Sequence, residues 1–256
     1  MTAGTSPAAR DAASRDAASR DAADRDAADR DAADRDAATG QELPSWSSVL
    51  AVVAHPDDES FGLGAIIDEM TRAGSRVHVL CFTHGEASTL NETGQDLHAA
   101  RSRELLQAGA ELGIASADLL GYRDGQLAAV PGAELSARVL AAARRGRPDG
   151  LLVFDETGIT GHPDHRAATA AAVQAARSCG LPVLAWAIPD AVAATLRAET
   201  GQPFAGQPPD RMDLRVRVSR QAQRRAALAH ASQVSPDAVL WRRLRLLGDH
   251  EHLRWL

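Results

Sequence analysis

The 256-residue chain contains no lysine; all 28 of its basic residues are arginine. That absence excludes chemistry that depends on a lysine amine, including the phosphate-binding lysine of a P-loop, a Schiff base and a pyridoxal phosphate anchor. Cysteine is scarce. Cys81 and Cys179 are too few for a disulfide framework or a cysteine-rich zinc site, and their apolar surroundings predict buried free thiols. Aromatic residues make up only 4%. No apolar run approaches the ~18–20 residues of a membrane span. The N-terminus carries charges every few residues and lacks the apolar stretch of a secretory signal, so a cytoplasmic compartment is expected. A net charge of −6 makes a nucleic-acid partner a poor expectation. The 45% hydrophobic content is that of a globular chain.

Residues 10–38 repeat with a period of five, as in Arg10-Asp11-Ala12-Ala13-Ser14. Such a period advances about 140° around a helix, so no constant apolar stripe forms. Residues 1–44 are therefore expected to be a disordered or solvated helical tail, and residues 45–256 one folded domain. Within that domain, apolar strands are predicted at 49–54, 76–82, 118–120, 150–154 and 183–188, and an alternating strand near 214–218. Helices are predicted at 60–72, 97–112, 133–145, 166–178, 221–230 and 238–247. Alternating strands and helices imply an α/β fold, a Rossmann-like three-layer sandwich around a mostly parallel central sheet. In such sheets ligands sit beyond the carboxyl ends of the strands.

Two motifs fall at such ends. His55-Pro56-Asp57-Asp58-Glu59 follows the first strand, and His162-Pro163-Asp164-His165 follows the fourth. His55 and Asp58, and equally His162 and His165, are spaced so that both members of a pair can face one ion. A catalytic zinc takes three such ligands and keeps one position open. The surplus carboxylate and imidazole are suited to moving a proton and stabilising an oxyanion. Asp57 and Asp58 alone could simply cap a helix, and His162-Pro163-Asp164 could be a turn. Two His-Pro-Asp clusters at two strand ends are harder to explain as caps.

These motifs, with Thr83-His84-Gly85-Glu86, Arg101-Ser102-Arg103-Glu104-Leu105, Leu120-Gly121-Tyr122-Arg123-Asp124-Gly125 and His230-Ala231-Ser232-Gln233, resemble the PIG-L, or LmbE-like, zinc-dependent N-deacetylases across residues 48–256. The resemblance implies that His55, Asp58 and His165 hold one Zn2+ per chain. It makes Asp57 the general base, and His162 the group that stabilises the oxyanion or protonates the leaving amine. It places Arg101 and Asp124 on sugar hydroxyls; Asp164 is expected to orient a neighbouring histidine. Thr160 stands where some members carry a tyrosine. His84 and Glu86 are candidates for the same cleft, and His230 reads as a packing or capping residue.

The implied activity is removal of an N-acetyl group from an N-acetylated amino sugar or sugar conjugate of N-acetylglucosaminyl type, with a small-molecule substrate as the partner. Alternatives are an amidase for a larger thiol or antibiotic conjugate, a metal phosphoesterase, and a non-catalytic sugar- or metal-binding relative. Phe61-Gly62-Leu63-Gly64 is too short a glycine pattern to argue for a nucleotide. Substrate choice is expected to lie in the loops at 85–96, 121–132 and 200–211.

Overall fold

Strand β1 (Ser48–Val53) is buried at all six positions, and its side chains divide by parity. Val49, Ala51 and Val53 pack into one hydrophobic cluster, and Leu50 and Val52 into another on the opposite face of the sheet. A strand buried on both faces has no solvated register to slip into, which fixes it at the centre. The computed structural model describes residues 42–90 and 96–256. Of the segment expected to be a tail, residues 1–44, residues 1–41 lie outside them.

Seven strands form one sheet in the order β3-β2-β1-β4-β5-β7-β6. The remaining strands are β2 (Arg76–Thr83), β3 (Ser116–Tyr122), β4 (Gly150–Phe154), β5 (Val183–Ala187), β6 (Leu214–Arg217) and β7 (His250–Trp255). Strands β1 to β5 pair in parallel, and only β7 pairs antiparallel to its neighbours. The helices are α1 (Asp58–Phe61), α2 (Gly64–Arg72), α3 (Leu97–Glu111), α4 (Gly132–Gly146), α5 (Gly158–Gly161), α6 (Pro163–Cys179), α7 (Asp190–Thr200), α8 (Gln221–Ala229) and α9 (Val239–Leu247). Helices α2, α3 and α8 bury their apolar residues on one face, and α4 and α6 on the other. This is the expected three-layer α/β sandwich. Leu43 and Trp46, ahead of β1, also pack against the core.

The chain builds β1, β2 and β3 outward in one direction, then returns to place β4 on the other side of β1. The carboxyl ends of β1 and β4 therefore flank a topological switch point, where open α/β sheets form their ligand crevice.

Local differences from the sequence expectation have physical causes. The helix expected at 60–72 is divided into α1 and α2 at Gly62-Leu63. A Cβ on Gly62 would lie 2.3 Å from the Phe154 ring, so the chain passes that ring as glycine. The third strand is longer than 118–120 because its ladder with β2 extends from Ser116 to Tyr122. Helix α7 and strand β7 were not expected. In β7 the core-facing positions hold Glu251 and Leu253, both buried, so an ionisable residue interrupts the apolar alternation. Glu251 is satisfied there by the Trp186 Nε1–H at 2.7 Å and by an ion pair with Arg220. Cys81 is buried as expected, but Cys179 is exposed because it ends α6 on an outer face.

Candidate active site

Just after β1 the chain turns sharply. Asp57 has φ of 120°, a conformation that L-residues rarely adopt. It precedes α1, yet its side chain caps no backbone N–H of that helix. Asp58 accepts hydrogen bonds at Oδ2 from the backbone N–H groups of His55 (2.9 Å) and Ala54 (3.1 Å), which hold its carboxylate against the strand end. The second turn is also strained. Ile159 in α5 has φ of 65°, an outlier for a buried β-branched residue. Pro163 then opens α6, and His162 caps it by accepting the Asp164 N–H at Nδ1.

These two turns bring together His55, Asp58 and His165, the three residues that the resemblance picks out. Their donor atoms all lie within 4.8 Å of one another. His55 Nδ1 lies 3.2 Å from His165 Nε2, and His165 Nε2 lies 3.1 Å from Asp58 Oδ1. Tetrahedral zinc with bonds of ~2.0–2.1 Å separates its ligand atoms by about 3.3 Å, so the donor set fits one such ion. The far nitrogens lie close to acceptors. His55 Nε2 faces Asp124 Oδ1 at 3.0 Å and Asp164 Oδ2 at 3.4 Å. His165 Nδ1 lies 3.1 Å from the Gly158 carbonyl. With those nitrogens protonated, the two facing the cluster are left bare to bind a cation.

The electrostatics favour positive charge at this point. Burial opposes protonation of His55, but the carboxylates of Asp124, Asp164 and Asp58 outweigh it and raise its pKa well above the ordinary value. His165 is raised in the same way against burial, chiefly by Asp58. Burial alone would raise Asp58, yet its histidine neighbours, His165 first, hold it well below the usual carboxylate range.

Asp57 stands apart from the cluster. Burial raises its carboxyl to about 6, with the Arg101 guanidinium opposing. Arg101 is 3% exposed. Its Nη2 donates to Asp57 Oδ2 at 2.7 Å and to the Pro56 carbonyl, and its Nη1 donates to the Gly85 carbonyl at 2.6 Å. The side chain expected to hold sugar hydroxyls thus has both terminal nitrogens on the protein. Asp124, expected in the same role, accepts from the Ala87 N–H at 2.9 Å as well as facing His55. Asp164 is fully buried, accepts from the backbone N–H groups of Gly125 and Leu127, and lies 3.4 Å from His55 Nε2.

His162 is half-buried. Burial, then His165 and His55, hold its pKa below the ordinary histidine range, so it is neutral near pH 7. Its Nδ1 accepts the capping hydrogen bond, which leaves the ring proton on Nε2.

The motif residue Glu59 received no role from its sequence, since a third acid after Asp57-Asp58 reads as a first-turn charge. It is fully buried. Its Oε2 accepts the Asp57 N–H at 2.9 Å, and its Oε1 lies 2.7 Å from His230 Nε2. His230, also fully buried, is therefore tied to the strained turn rather than merely capping a helix. Of the other two candidates, Glu86 supports Asp124 by accepting its N–H at 3.0 Å, and His84 stacks on His98 with ring centroids 3.4 Å apart.

A cleft of about 490 Å³ opens over the cluster. All three loops assigned to substrate choice contribute to its walls, through Ala87 to Leu90, through Asp124 and Gly125, and through Gln202 and Phe204; residues 91–95 lie outside the described residues. Thr160 lines it where some proteins with this motif place a tyrosine.

A family model described as PIG-L, GlcNAc-PI de-N-acetylase, matches residues 50–176. A 1D-myo-inositol 2-acetamido-2-deoxy-alpha-D-glucopyranoside deacetylase of Rhodococcus jostii is 31% identical over 242 residues, covering 73% of this chain and 82% of that protein. A protein of the same description from Nakamurella multipartita is 34% identical over 182 residues, covering 59% of this chain; the chain spans only 60% of that relative's length. The structure of N,N'-diacetylchitobiose deacetylase from Pyrococcus horikoshii superimposes with a TM-score of 0.64 over 82% of this chain and 84% of the other, at 22% identity, which shows a common fold.

Proposed function

Because this chain belongs to the PIG-L family, we propose that it is a metal-dependent hydrolase that removes the N-acetyl group from an N-acetylated amino sugar of N-acetylglucosaminyl type. The observation that carries this reading is the convergence of His55, Asp58 and His165 on one point, with the Asp57 carboxylate, which makes no capping bond to α1, lining the same cleft. The relatives act, by their names, on acetamido sugars.

His55 Nδ1, His165 Nε2 and an Asp58 oxygen would hold the ion, and the donor set of two imidazoles and one carboxylate suits zinc, one ion per chain. When bound there, the ion would polarise the acetamide carbonyl and make water more acidic. Asp57, ionised near neutrality with a pKa of about 6, takes the proton from the attacking water. His162 meets the developing oxyanion as a neutral Nε2–H donor. The proton held by Asp57 is then available to the departing amine. Asp124 and Asp164 keep His55 in the tautomer that presents Nδ1. Arg101 and Glu59 hold Asp57 in place, one on its carboxylate and one on its backbone.

The test is acetate release from a panel of N-acetylglucosamine glycosides, before and after chelation. Acetate release that is lost on chelation and restored by zinc supports the proposal. A metal-loaded, folded protein that releases acetate from none of them contradicts it.

A further inference from the structure

Two arginines line the cleft, and they differ in one respect. Arg101 has both terminal nitrogens on protein acceptors, one of them the Asp57 carboxylate. Arg243 is 9% exposed, and its one hydrogen bond to a described residue runs from Nη2 to the Phe61 carbonyl. Its Nε is buried without a partner, as is the Nε of Arg101, so the two differ at their terminal nitrogens. The guanidinium lies 4.9 Å from the centroid of the Trp186 ring. Among the described residues it makes no ion pair. The nearby carboxylate of Glu251 is already committed to the Trp186 Nε1–H and to Arg220.

Burial pushes the Arg243 pKa down to about 10, so the group remains charged at neutral pH. Glu251 and Asp58 favour its charge without contacting it; a buried charge without a paired counter-ion is costly, and a methionine or leucine would cover Trp186 as well. Five N–H donors in a planar fork match the two oxygens of a carboxylate or phosphate. Phe61, Val239 and Trp186 line the same cleft and lower the local dielectric, which strengthens such a pairing.

We propose that Arg243 is the anion-recognition residue of this cleft, receiving a phosphate or carboxylate carried by the substrate away from the acetamide. The proposal takes the amino-sugar part of the ligand from the deacetylase reading. Anion recognition by Arg243 is read from binding and does not depend on turnover.

The test therefore measures binding of amine products, which cannot be deacetylated. Calorimetry on the metal-loaded protein compares glucosamine with glucosamine 1-phosphate, glucosamine 6-phosphate and, for a carboxylate, muramic acid. At least one anionic sugar should bind roughly tenfold or more tighter than glucosamine, and the identity of the best one names the anion. In Arg243→Met the ratio should fall to about one, while Arg243→Lys keeps part of it. If the methionine variant does not fold, Arg243→Gln, which retains a donor for the Phe61 carbonyl, gives the same reading. The proposal is overturned if wild-type protein shows no preference for any anionic sugar or binds none of the four. It is equally overturned if the preference survives in the folded methionine or glutamine variant, because the metal alone would then be holding the anion. Failure of the deacetylase reading is a separate result, seen as absent acetate release from N-acetylated sugars.

Discussion

Arg101 Nη2 donates to Asp57 Oδ2 at 2.7 Å, and both groups are shielded from solvent. The contact couples a helix α3 side chain to the proposed base on the turn after β1. Arg101 lowers the Asp57 pKa against a burial effect that raises it. Arg101→Met should therefore raise that pKa and move the acid limb of kcat/KM to higher pH. In the wild-type protein that limb should lie at or below about pH 6, since a bound dication can only favour the ionised carboxylate further. A pH–rate profile checks both. An Arg101 that merely bound sugar would raise KM and leave the limb where it was.

Gly85 has φ of +65°, and a Cβ there would lie 2.0 Å from Arg101 Nη1. Gly85→Ala must push the guanidinium away from Asp57. The expected outcome is the kinetic signature of Arg101→Met, with the acid limb shifted upward, in a protein whose circular dichroism still shows the native fold. Unchanged kinetics would show that the contact is dispensable.

Gly62 tests packing instead. A Cβ at this position would overlap the Phe154 ring at 2.3 Å and press on Trp186 at 3.1 Å. Overpacking of this kind costs about 1–3 kcal/mol, so Gly62→Ala should lower the denaturant midpoint and Tm measurably. Equal stability would mean that the aromatic pair gives way freely.

The sandwich was legible because β1 and β4 read as continuous apolar runs, and the metal-type cluster because two His-Pro-Asp motifs fell at their carboxyl ends. Residues whose roles come from tertiary partners left weaker traces. Glu59 reads as a helix-start acid until His230 is found 2.7 Å away, although the two are separated by 171 positions. Glu251 hides β7 because its core-facing place is filled by a carboxylate that only Trp186 and Arg220 make tolerable. The resemblance puts Arg101 and Asp124 on sugar hydroxyls, but no spacing reveals that they face Asp57 and His55.

The central claim is that neighbouring carboxylates divide two tasks, with Asp58 holding the metal and Asp57 moving the proton. Metal content of purified Asp57→Asn and Asp58→Asn, measured beside kcat, tests it most directly. Asp57→Asn should retain about one metal per chain and lose roughly 10²–10⁴-fold in turnover, the usual worth of a general base. Asp58→Asn should lose the metal, because a neutral amide replaces the charged ligand. A metal-free Asp57→Asn beside a metal-loaded Asp58→Asn would contradict the account.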